Sequence, residues 1–167
     1  MAKIKGIKKL NKAITAQVKP FGINKALVSD SYSYLYDENK ITFKLTEDTT
    51  EDKWFLEFVE KRFGLKVDSF LLSILHEIGH SQANEEINGD LYDFCMSEKE
   101  RISKEMAIAN AKQSKKLEFQ YFNLPDEIMA TQWAVNWIKD HPKKSKKMYK
   151  ACIKALIDFY ETNNVKE

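Results

Sequence analysis

Apolar residues at Ile4, Ile7, Leu10, Ile14 and Val18 recur at helical spacing, so the chain opens with an amphipathic helix that ends before Pro20. Residues 21–30 show no clear period and read as a connector. Residues 31–36 and 41–45 alternate between apolar and polar, with the turn-prone Asp37-Glu38-Asn39-Lys40 between them, which predicts a β-hairpin. A second helix, capped by Thr49 or Thr50, carries Trp54, Phe55, Phe58, Val59 and Phe63 and stops at Gly64. Asp68 or Ser69 opens a third, with Phe70, Leu71, Ile74, Leu75 and Ile78 on its apolar side. The pattern breaks after Asn84, and Asn88-Gly89-Asp90 reads as a turn. Ser97 with Glu100 three residues on is a capping box for a charged helix over 97–116. Leu124-Pro125-Asp126 starts a helix that stops before Pro142, and Tyr149, Cys152, Ile153, Leu156, Phe159 and Tyr160 form a last amphipathic one.

These elements predict an α+β fold: one mostly helical domain over 1–167, with a small antiparallel sheet. There is no internal repeat and no linker. A length of 167 residues, 43% of them hydrophobic, supports a packed core without staples. The net charge of +2 argues for no partner, but its distribution is uneven. Residues 1–29 hold seven lysines and no acid, and 143–154 is basic again. A lysine-rich helix face in water explains this, and Lys3, Lys5, Lys8, Lys9 and Lys12 offer nucleic acid charge without the bidentate fork that reads bases. Cys95 and Cys152 alone make neither a disulfide framework nor a zinc ribbon. With no signal-peptide core and no membrane span, the sequence reads as cytoplasmic.

The chemistry concentrates in His76-Glu77-Ile78-Gly79-His80. Only three histidines occur in the chain, and two of them stand four apart on the third helix. Their rings lie one turn above each other, about 5–6 Å apart at Cβ, a spacing that lets both bind one Zn²⁺. Mn²⁺, Fe²⁺ and Co²⁺ suit the same donors. Glu77 lies beside the pair, placed to take a proton from metal-bound water and pass it to a leaving amine. Gly79 costs a helix about 1 kcal/mol relative to alanine, which points to another backbone approaching closely. The competing reading is a helix with two solvent-facing histidines. Against it, Leu71, Leu75 and Ile78 bury one side while Ser73, His76 and His80 share another, and polar groups on a partly buried face need a common partner.

A catalytic metal site requires a third protein ligand. The next histidine is His141, too far along for a short-spaced triad. Glu127 is the best-placed carboxylate, in the first turn of a long helix and able to face the histidines across a seam of Ala130 and Ala134. Dipole compensation at a helix N-terminus is its other explanation. Asp90 and Asp93 are the runners-up, and Glu85 and Glu86 point away. His141 suits a helix C-terminus better than an oxyanion site. Tyr92 and Tyr121 are possible oxyanion donors, Trp54, Trp133 and Trp137 read as core, and residues 41–45 offer either an edge for an extended peptide or plain sheet packing.

His76-Glu77-Ile78-Gly79-His80 followed by Glu127-Ile128-Met129-Ala130-Thr131-Gln132-Trp133-Ala134 resembles the gluzincin-type zinc metallopeptidases (zincins) of the ImmA/IrrE family, whose second helix carries a Glu-x-x-Ala-x-x-aromatic-Ala pattern. The resemblance covers chiefly 70–84 and 124–138. It implies a zincin-like pair of metal-binding helices, Zn²⁺ on His76, His80 and Glu127, Glu77 as general base, and cleavage of a regulatory protein inside the cell. Thr131 departs from the Asn or Asp usual in that family, the usual ending of the second helix is missing, and extra helical segments stand at 50–63 and 97–116. The expectation is therefore a metallopeptidase acting on a protein or peptide substrate. A protein of the same scaffold that acts by binding a partner, through its basic ends and the 97–116 segment, is the alternative.

Overall fold

The computed structural model describes residues 4–45, 50–83 and 87–164. They hold seven α-helices and three strands, a mostly helical α+β fold. Although the sequence shows no linker, the described residues cluster as two compact units.

The first unit takes the chain up to Leu45 and from Trp137 onward. Helix α1 (Ile7–Val18) buries Leu10, Ile14 and Val18, the stripe its spacing predicts, and gives way at Pro20 to a single 3-10 turn, Lys19–Phe21. Strands β1 (Lys25–Ser29), β2 (Ser33–Leu35) and β3 (Lys40–Lys44) follow, in the spatial order β1-β3-β2. The hairpin is present: β2 runs antiparallel to β3, with Tyr34 opposite Ile41. Its connection is a 3-10 turn, Tyr36–Glu38, closed by Asn39 in the left-handed region at φ 46°, a conformation asparagine tolerates better than most side chains.

The sheet as a whole is mixed rather than antiparallel, because residues 25–29, expected as connector, form β1 parallel to β3 with Ala26 opposite Ile41. β1 has only one fully buried side chain, Ala26, so it carries no alternation to read. Helix α1 completes its outer edge: Thr15 Oγ1 accepts from the Ala26 N–H at 2.9 Å and Asn11 Oδ1 from the Val28 N–H at 2.9 Å. β3 is consequently the central strand, paired on both sides, so residues 41–45 serve sheet packing and not an open edge for a peptide. Ile41 and Phe43 point from it into the core of this unit. Helix α7 (Pro142–Asn164) begins with proline at its first position, about two turns before the apolar pattern, and buries Met148, Cys152, Leu156 and Phe159.

The second unit spans residues 46–136. It contains α2 (Thr50–Phe63), α3 (Ser69–Ala83), α4 (Gly89–Met106), α5 (Ala111–Phe122) and most of α6 (Pro125–Asp140). Thr49 lies outside the described residues, and Gly64 ends α2 with a positive φ, as its position suggested. The charged helix expected over 97–116 is two helices. Asn88 caps α4, its side chain accepting from the Leu91 N–H, so Ser97 is interior and no cap. The capping box is Asn110 with Gln113, at the start of α5. Phe55, Phe58, Phe119 and Phe122 pack ring against ring, and Ile102, Leu117 and Leu124 form a second apolar cluster. Trp54, Trp133 and Trp137 are half-buried. No described helix is long and apolar enough to cross a membrane, and Cys95 and Cys152 are free and buried.

Asp68 caps α3: its Oδ1 accepts from the Phe70 N–H at 3.0 Å and the Leu71 N–H at 3.2 Å. Asp68→Ala is expected to remove about 1 kcal/mol of stability in urea denaturation. An unchanged midpoint would show that the cap does not hold the helix.

Candidate metal centre

Helix α3 is buried on every side, not half-buried as its pattern suggested: each residue from Phe70 to His80 is withdrawn from water, Glu77 and both histidines included. Burial of that kind brings polar groups inside with the apolar ones and obliges them to find partners there. Helix α6 supplies those of both histidines. Pro125 sets its first turn, Glu127 follows two residues later, and the Ala130 and Ala134 seam is fully buried. The two helices touch at Gly79. A Cβ built there would lie 2.9 Å from both Cα and the carbonyl carbon of Ala130, and closer still to its oxygen. The glycine is therefore the residue that lets the α6 backbone approach α3.

At that approach His76, His80 and Glu127 converge, with one ligand atom from each within 4.8 Å of the others. His76 Nε2 lies 2.8 Å from Glu127 Oε2 and His80 Nε2 3.4 Å from Glu127 Oε1. The two imidazoles meet edge to face at 4.7 Å between centroids, and Phe55 stands edge-on to His76 at 5.2 Å. Behind the ring, His76 Nδ1 lies 3.0 Å from Thr131 Oγ1, a fully buried hydroxyl. A hydroxyl both donates and accepts, so Thr131 can serve Nδ1 in either tautomer of the ring. Thr131 thus orients the His76 ring from the side away from Glu127.

Burial alone would raise the Glu127 carboxyl, but the imidazoles of His80 and His76 outweigh it and hold the group well below the usual carboxylate range. Burial likewise disfavours the Lys99 ammonium, which is nevertheless held above the ordinary lysine range by Glu127, Tyr121 and Asp126. Its Nζ bonds Glu127 Oε1 at 2.6 Å and also Asp126 Oδ2. Tyr121, half-buried on α5, is pushed up by burial and then by the nearby Glu127 charge. Glu118 on the same helix is pushed up to about 7, first by burial and then by Glu51, Glu127 and Asp52.

The other sequence candidates lie elsewhere. Asp90 and Asp93 are exposed on α4, as is Tyr92. Glu85 and Glu86 lie outside the described residues. His141 belongs to the first unit, where its Nδ1 bonds the Trp137 carbonyl at 3.1 Å near the end of α6. Sequence reasoning missed Lys99 and Glu118. Lys99 stands in a run of alternating charges whose other members do form exposed pairs, Arg101 with Glu98 and Glu105, Lys104 with Glu100. Nothing in the run separates it from them.

Two imidazoles and one carboxylate, held by two helices, fit a zinc ion in donor type and number, with a position left for water or substrate. Compared with protein-family models, curated proteins and solved structures, the chain matches none.

In an open helix Gly79→Ala would stabilise by about 1 kcal/mol. Here the added methyl meets backbone, and a net loss of about 1–3 kcal/mol is expected, with weaker zinc binding as α6 is displaced. A stabilised variant would mean that the helices do not approach as described.

Proposed function

We propose that this chain is a zinc-dependent metallopeptidase of gluzincin type, similar to the ImmA/IrrE family, hydrolysing a peptide bond in a protein substrate in the cytoplasm. The observation that carries the reading is the convergence of His76, His80 and Glu127 in a buried site, with Glu77 next in sequence to the first ligand. His76, His80 and Glu127 would hold the ion, which when bound supplies a Lewis acid for the substrate carbonyl and hydroxide near neutral pH.

Glu77 accepts the proton of the attacking water on its carboxylate and returns it to the leaving amine. Glu77 is itself buried, next to His76 on the same helix. Thr131 keeps the His76 ring in register, and Phe55 closes one side of it against solvent. Tyr121, whose ring lies beside Lys99 and so close to Glu127, is a candidate to donate to the developing oxyanion.

The zinc-loaded protein and its Glu77→Gln variant, matched for metal content, are to be incubated with a proteome-derived peptide library and new termini counted by mass spectrometry. Cleavage by the wild type that falls at least about 100-fold in the variant is the expected result. Equal cleavage by both would remove Glu77 from the mechanism. No cleavage by either, with the same cellular phenotype, would favour a scaffold that acts by binding.

A further inference from the structure

Lys99 reaches from α4 into the pair of carboxylates that opens α6. Its side chain is only 18% exposed, and those of Asp126 and Glu127 are 10% and 5% exposed. The ammonium bonds both carboxylates and lies 5.2 Å from the centre of the Tyr121 ring. This differs in kind from the neighbouring pairs of Arg101 and Lys104, which stand in water and are screened. A buried cation between two buried anions is held by their mutual need for neutralisation. The oxygen it occupies, Glu127 Oε1, is the one that His80 Nε2 faces at 3.4 Å.

We infer that Lys99 is a resident competitor for the metal: it neutralises Glu127 and Asp126 in the metal-free chain and thereby lowers the affinity of His76, His80 and Glu127 for a divalent cation. The inference rests on reading the site as a metal centre. Two effects act in the same direction. An incoming cation meets a like charge within bonding distance of its own ligand. A carboxylate already satisfied by Lys99 also has less to gain from the ion. Whatever stabilises the metal-free form more than the loaded form weakens binding by the same factor. The device would keep the site from retaining zinc in the cell unless the metal is plentiful or Lys99 is drawn aside. A lysine that merely clasped α4 to α6 would act oppositely, since its loss would loosen Glu127 and weaken binding.

Zinc dissociation constants of the full chain are to be measured by competition with a chromophoric chelator for wild type, Lys99→Met, Lys99→Arg and Lys104→Met. Lys99→Met is expected to bind zinc about tenfold or more tighter. Lys99→Arg keeps the charge and Lys104→Met removes one already in water, so both are expected within about twofold of wild type. Metal-free Lys99→Met is expected to melt lower and to recover with zinc. Should it fail to fold without metal, Lys99→Gln replaces it, with tightening again expected. Equal or weaker zinc binding in the neutral variants overturns the inference and leaves the metal centre standing. Zinc on Lys99→Met but not on wild type supports it, and zinc on neither overturns both.

Discussion

Glu127 carries a charge in a place almost wholly withdrawn from water, and an uncompensated carboxylate there would cost several kcal/mol. The second unit is arranged to meet that requirement. His76 and His80 reach it from α3, Lys99 from α4, and its own helix begins immediately before it, so that the N-terminal dipole of α6 adds to the same balance. Four separate features of the chain thus answer one buried charge. None of them is explained by packing alone, and the chemistry proposed for the site follows from what this carboxylate and its partners would do around a divalent ion.

The contact that makes the arrangement possible is made of absent atoms. Gly79 has no side chain where Ala130 presents its backbone, and Ala130 and Ala134 give α6 a flank of single methyl groups. A bulkier residue at Gly79 would hold the helices apart, and Glu127 would then stand away from the imidazoles it now touches. The glycine's cost in helix propensity is offset by this approach. Site and packing are in this sense the same feature, because the histidine pair meets its carboxylate partner only once the second helix is close.

Much of this was legible in the sequence because it is local. The four-residue histidine spacing, Gly79 as a close-approach position, Glu127 in a first turn and the alanine seam are short-range patterns. Helix α1, the α3 cap and the β2–β3 hairpin were legible for the same reason. What escaped was non-local. β1 exists because α1 and β3 satisfy its backbone, which no pattern inside 25–29 records. The 97–116 segment looked continuous because charge continues through it, whereas the chain turns at Ala107–Asn110 and restarts on an asparagine cap. Lys99 resembles its solvated neighbours until α6 is laid against it, and Thr131 acquires a role only through the ring of His76.

The central claim is that His76, His80 and Glu127 hold a metal, and X-ray absorption at the zinc edge of the loaded protein tests it most directly. Two histidines bring two imidazoles into the shell at about 2.0–2.1 Å, with the remaining positions filled by oxygen. That spectrum, losing imidazole scattering in His80→Ala, is the predicted result. A sulfur shell at about 2.3 Å, or oxygen alone without imidazole, would contradict the account.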